Sequence, residues 1–184
     1  MTTYKPDGLF AFGNSETVEV PFNNGRPDTA NDSTQKAPLG TLYRFKGNLF
    51  RYVLFNSGTD AVAAAQYGVA HWLLAGLDPS VGLFTVTSDY SSGLAGVNGV
   101  AGILGGIITT GNYTWIQVGG LSTVKCAVSF VAGDVAIGGS SDLTFNRLAA
   151  DASITSLGYG TATASRDGSG NDKFLLEAHR LASF

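Results

Sequence analysis

The stretch from Gly93 to Gly120 constrains the fold more than any other. It reads Gly93-Leu94-Ala95-Gly96-Val97-Asn98-Gly99-Val100-Ala101-Gly102-Ile103-Leu104-Gly105-Gly106-Ile107-Ile108-Thr109-Thr110-Gly111-Asn112-Tyr113-Thr114-Trp115-Ile116-Gln117-Val118-Gly119-Gly120 and carries no charge. Its second half predicts a strand. Tyr113, Trp115 and Ile116 are good β-formers, and Gly111-Asn112 and Gly119-Gly120 read as breakers on either side. The apolar, Gly-spaced first half is easiest to place buried, against other strands or another subunit. The stretch is therefore expected at the centre of an all-β core.

The glycine spacing excludes two other architectures. Gly93, Gly96, Gly99, Gly102 and Gly105 fall three apart, as in collagen, but the abundant proline and long repeat of a triple helix are missing. A dinucleotide-binding fingerprint requires a strand before the glycines and a helix after them, whereas more strand pattern follows here. Glycine inside a sheet allows bends and close backbone approach, which is the reading adopted.

Charged residues make up 14% of the 184-residue chain, against about 25% in a typical soluble domain. Glycine, at 25 residues, is about twice as frequent as usual. Low charge at ordinary hydrophobicity suggests a surface covered by partners in an assembly. The formal charge of −3 gives no basic footprint for nucleic acid. No secretory signal is expected at the N-terminus, and the apolar segment 97–108 is too short and too Gly-rich to span a membrane. A single cysteine, Cys126, excludes an internal disulfide framework and a cysteine-based zinc site. It reads as a small core residue.

Residues 1–38 read as an extended arm preceding a single β domain, 39–184. Turn-forming clusters such as Pro6-Asp7-Gly8 and Phe22-Asn23-Asn24-Gly25 alternate with short apolar islands, Leu9-Phe10-Ala11-Phe12 and Val18-Glu19-Val20. Such a segment builds no core of its own. It either docks on something else or packs on its own domain. Within the domain, 41–55 predicts a hairpin around Lys46-Gly47-Asn48. There Arg44 and Arg51 could share a face, either solvated or against an acidic partner. The alanine-rich run 60–66 predicts a short helix. Strands are expected at 69–74, 83–87, 113–118, 123–128 and 135–137, with a closing hairpin formed by 154–164 and 174–181. Short strands at close intervals with Gly-rich turns favour a β-barrel or β-sandwich.

Catalytic patterns are thin. His71 and His179 have no carboxylate or nucleophile beside them, and no nucleophile elbow, phosphate-binding loop or zinc-protease motif occurs. The 167–172 segment alternates oxygen ligands like a calcium loop but lacks the late glutamate. A hairpin turn explains it equally well. Trp72, Tyr90, Tyr113 and Trp115 could form an aromatic platform for sugars, or a core or subunit interface, where aromatics are enriched. No enzyme activity, cofactor or metal site is expected.

Several segments in order resemble the head decoration, or capsid cement, proteins of tailed phages. They are Gly40-Thr41-Leu42-Tyr43-Arg44, Arg51-Tyr52-Val53-Leu54-Phe55, Ala64-Ala65-Gln66-Tyr67-Gly68-Val69, Gly99-Val100-Ala101-Gly102-Ile103 and Gly111-Asn112-Tyr113-Thr114-Trp115-Ile116-Gln117-Val118-Gly119-Gly120, followed by Val131-Ala132-Gly133-Asp134 and Leu157-Gly158-Tyr159-Gly160. The resemblance covers about residues 38–184, and the longer polar arm departs from it. It implies a non-enzymatic virion protein, made in the host cytoplasm, that oligomerises on the capsid surface and reinforces contacts between major capsid subunits. The expected partners are the major capsid protein and further copies of the chain, as a trimer rather than a dimer, with no nucleic acid and no membrane. Candidate subunit or capsid contacts are Leu9, Phe10, Phe12, Val18, Val20, Phe22, Tyr113 and Trp115. Alternatives are a tail or fibre component, a carbohydrate-binding β module using Trp72 or Trp115, and an enzyme in which His71 meets a distant aspartate.

Overall fold

The computed structural model describes residues 27, 30–58, 60–73, 84–90, 99–138, 141–148, 160–163 and 170–176. They form an all-β protein of ten strands: β1 Leu42–Phe45, β2 Asn48–Phe55, β3 Val69–Trp72, β4 Thr85–Thr87, β5 Val100–Leu104, β6 Tyr113–Lys125, β7 Val135–Gly138, β8 Phe145–Arg147, β9 Gly160–Ala162 and β10 Asn171–Leu176. No α-helix occurs among the described residues.

Strands β2, β4, β3, β5 and β6 close into a five-stranded barrel, because β6 pairs with β5 on one side and returns to β2 on the other. All its contacts are antiparallel except β2–β4. Beyond the barrel β6 continues and pairs with β10, and the order runs on through β9, β7 and β8. A bridge between Cys126 and Phe145 ties β8 back to the end of β6. Two rings of strands therefore share one strand.

The bend that lets β6 serve both rings lies at Gly120, expected from the sequence to end a strand. Gly120 has φ +87°, a backbone region that residues with a Cβ rarely adopt. A Cβ there would collide with Asn48 Oδ1 and lie 2.9 Å from the Gly47 carbonyl oxygen. Gln117, 7% exposed, braces the bend. Its side-chain amide donates to the carbonyls of Gly119 at 3.2 Å and Leu121 at 3.0 Å. The expected strands 113–118 and 123–128 are thus largely one strand.

The β1–β2 hairpin forms as expected, with a tighter turn. Lys46 (φ 47°) and Gly47 (φ 82°) make a two-residue connection, the type I′ geometry that matches strand twist. Along β2 the side chains alternate. Val53 and Phe55 enter the barrel interior with Ile116, Val118, Val86, Leu104 and Trp72. Phe50 and Tyr52 face outward, against Tyr43, Trp115, Ala30 and Ala37. A third cluster joins the outward side of β3 and β5 (Val69, Val100, Ile103) to the second ring through Val124, Phe145, Phe174 and Leu176. The barrel wall is therefore covered on two of its outer faces.

The expected helix at 60–66 does not form. Residues 60–61 and 66–67 make turns with irregular chain between them, Ala61 has φ 54°, and the Val62 N–H donates to the Ser57 carbonyl at 2.9 Å. Two turns of helix are too few to nucleate unaided. The barrel offers this segment better partners. Ala64 is buried in its core, the Tyr67 N–H donates to Leu104, and the Tyr67 carbonyl accepts from the Lys125 N–H.

The last part of the expected arm packs on the barrel. Asp32 bridges to Tyr113 through both backbone groups, the Lys36 N–H donates to the Tyr52 hydroxyl at 3.0 Å, and Thr114 Oγ1 donates to the Ala30 carbonyl at 2.7 Å. Of the expected closing hairpin, β9 and β10 are described and pair antiparallel. The intervening 164–169 lies outside the described residues.

Gly111 has nearly the same φ as Gly120, +86°, but open space where a Cβ would stand. Gly111→Ala should cost about 1 kcal/mol from backbone strain alone, and Gly120→Ala about 3 kcal/mol or more. Urea unfolding of the two variants checks this. Equal losses would show that the close approach to Asn48 is not what requires glycine.

Candidate interaction surfaces

Of the candidate contacts, Leu9, Phe10, Phe12, Val18, Val20 and Phe22 lie outside the described residues. Trp115 has no exposed surface to offer a partner: at 0% exposure it is packed against Tyr52 at 4.9 Å and Tyr43 at 5.8 Å between ring centroids. Tyr113 is half-buried beside it, its ring stacked on Tyr52. The sequence marks aromatic strand residues but not which face the arm covers. An aromatic platform built on the two tryptophans is not formed, because Trp72 is only 9% exposed and lines the barrel interior.

Apolar side chains exposed among the described residues lie elsewhere. On the second ring, Leu121 of β6 and Leu175 of β10 stand directly opposite each other in register, 55% and 48% exposed. Thr161 of β9, also exposed, continues the same row. The alternate residues of β10, Phe174 and Leu176, are buried. One face of this sheet is therefore core and the other carries an apolar pair in the open. Val128 and Val131 are exposed beyond the end of β6, and Ile107 in the connection before it. Alternation along β10 is readable in the sequence, but its phase is not.

A cavity of about 160 Å³ opens beside the β6 bend, lined by Asn48, Tyr67, Gln117, Leu121, Ser122 and Thr123 among others. Of these, the Gln117 amide serves the bend itself. Gln117 was not singled out in the sequence. The signal available there was its place next to Gly119-Gly120, an amide positioned to satisfy carbonyls that the bend leaves unpaired.

His71 sits on β3 at 1% exposure, opposite Thr87 of β4 and Val100 of β5. Tyr90 meets its ring edge-on at 5.3 Å. Both ring nitrogens are enclosed without a hydrogen-bond partner. Burial pushes its pKa down to about 4, and the charge of nearby Asp142 opposes this only in part. Asp142 is engaged elsewhere, accepting from the Tyr90 N–H at 2.7 Å. His71 and an aspartate do come near each other, but no hydrogen bond joins them. Among the described residues no group of three or more His, Cys, Asp or Glu side chains could hold a metal ion. No described helix is long and apolar enough to cross a membrane.

Arg51 and Arg44 take different environments. Leu42 is opposite Arg51 and Arg44 opposite Leu49, so the two arginines do share a face of the hairpin. Arg44 is exposed, whereas Arg51 is 7% exposed with its guanidinium over the rings of Trp72 and Phe84.

No protein-family model matches the chain, and no curated protein matches it. Among solved structures, the crystal structure of the head fiber gp8.5 N base in bacteriophage phi29 is similar, with a TM-score of 0.46 and 10% identity. The match covers 71% of this chain and 95% of that one. The overlap is too loose to carry a shared function.

The position of His71 gives a pH signature. Its folded pKa lies below the ordinary value of 6.5, so the unfolded chain takes up the proton first. Stability is complete above about pH 6.5, falls as pH drops toward 4, and levels off below that. The loss is at most about 3 kcal/mol. His71→Phe, which keeps a ring and cannot protonate, should flatten this part of a urea-midpoint profile between pH 7 and pH 4. An unchanged slope would assign it to the carboxylates.

Proposed function

We propose that this chain is a non-enzymatic structural protein of a phage virion. It binds the outer surface of the capsid and stabilises contacts between major capsid subunits. The ordered segments resembling capsid decoration proteins support this reading, and the exposed Leu121–Leu175 pair is the structural observation that carries it. Apolar side chains aligned on an otherwise solvated sheet face gain most from a matching protein surface, at about 25 cal/mol per Å² buried. Identical weak contacts repeated over one shell act together. Self-association, as a trimer in preference to a dimer, belongs to the same reading.

The N-terminal arm is the second element of the mechanism: it reaches a neighbouring capsid or decoration subunit. The structure sets where it can be removed. Ala30, Asp32 and Lys36 belong to the barrel's outer packing, so a cut at Lys36 would strip the domain. Deleting residues 1–26 leaves those contacts in place.

The mass of the full chain in solution and its co-sedimentation with undecorated capsids provide the test. A stable oligomer that stays bound at moderate salt is expected, since apolar contacts are not screened. Leu175→Lys and deletion of 1–26 should each weaken binding by about tenfold or more, equivalent to about 1.4 kcal/mol, while leaving the urea midpoint nearly unchanged. A monomer that ignores shells would overturn the reading and favour a tail or fibre component.

A further inference from the structure

Arg51 presents a chemical problem that the fold does not solve. The guanidinium carbon lies 5.6 Å from the ring centroid of Trp72 and 5.8 Å from that of Phe84. Both distances fall within the range of a cation–π contact. Among the described residues Arg51 has neither an ion-pair nor a hydrogen-bond partner. Nε is enclosed without an acceptor, and neither Nη is among the enclosed orphans. The residue keeps 7% exposure.

The surroundings add positive charge. Arg44, on the same face, and Lys46, at the turn, are both exposed, and residues 41–55 contain no carboxylate. In a chain of net charge −3, this hairpin is a local exception. An arginine cannot discharge itself by losing its proton. A largely buried guanidinium set beside two rings is instead prepared for a planar, two-oxygen acceptor, which its parallel N–H groups match in geometry.

We propose that Arg51 is an anion-binding site that receives a carboxylate from the protein this chain docks on. The partner's identity rests on the function proposed above, whereas the anion site does not. Trp72 and Phe84 act as positioning residues that hold the fork ready. Arg44 and Lys46 draw the acidic group toward it.

Two variants and two readouts test this on the full chain. The Arg51 Nε–Hε resonance is followed by NMR while sodium acetate replaces sodium chloride at constant ionic strength. A saturable shift is expected, with a parallel rise in melting temperature that Arg51→Met does not show. Arg51→Met, with similar bulk and no charge, should be at least as stable as the parent without acetate, because a buried unpaired charge has been removed. It should bind undecorated capsids about tenfold or more weakly. Arg51→Lys, charged but without the fork, should fall between.

No acetate response together with a destabilised Arg51→Met would overturn the proposal and make Arg51 a stacking residue. An acetate response with unchanged capsid binding by Arg51→Met would overturn the partner's part and leave a small-anion site. Failure of the parent chain to bind capsids at all would sink the decoration reading, and the acetate titration would still decide the anion site.

Discussion

The bend in β6 at Gly120 is the constraint on which the rest of the structure depends. Before it, the strand closes the barrel between β5 and β2; after it, the strand starts the second ring beside β10. A straight strand would serve one sheet or the other. Turning it requires a positive φ, space against the Asn48 turn, and a donor for the carbonyls of Gly119 and Leu121, which the side-chain amide of Gln117 supplies. The β1–β2 turn at Lys46-Gly47 and the β6 bend are therefore coupled. The first brings the Gly47 carbonyl and Asn48 to where the second must pass, and only glycine fits between them.

Sharing one strand between two rings has a consequence for composition. β3 and β5 present Ala70, Ala101 and Leu104 to the barrel interior and Val69, Val100 and Ile103 to the second ring's core. β2 is likewise buried on both faces, with the 30–37 segment over Phe50 and Tyr52. Strands covered on both sides read as continuous apolar runs rather than alternating ones. Part of the chain's low charge is thus accounted for within the chain itself, without any partner. What remains unaccounted for among the described residues is smaller and more specific: the exposed Leu121–Leu175 pair and the buried cation at Arg51.

The same geometry separates what was legible in the sequence from what was not. The hairpin around Lys46-Gly47 was legible because a two-residue turn fixes register locally. The all-β class and the central place of the 99–120 stretch were legible from β-forming residues and glycine punctuation. The continuity of β6 was not. Gly119-Gly120 has the same local chemistry as a strand end, and only Asn48 and Gln117, distant or apparently unremarkable in sequence, turn it into a bend. The helix expected at 60–66 failed for a related reason. Its alanines favour helix weakly, and the open ends of β5 and β6 offered the backbone of Tyr67 stronger partners. Trp115 was recognised as important, but its burial depends on which outer face residues 30–37 cover, a tertiary fact that no period of two encodes.

Arg51 and His71 show how the barrel treats buried polar atoms that no described residue satisfies. Thr114, Ser88 and Gln117 are buried and find backbone carbonyls. His71 finds none, but it can give up its proton, and its pKa falls to about 4. As a neutral ring it then costs only its unmet hydrogen bonds. Arg51 has no such escape. Burial lowers its pKa, yet from so high a starting point that it stays charged. The aromatic rings around it offset part of the desolvation but cannot accept its N–H groups as oxygen would. An apolar residue of the same length would fill that volume at less cost to the isolated chain. Retaining a cation there makes sense when the state that matters is not the isolated chain but one in which an anion has arrived.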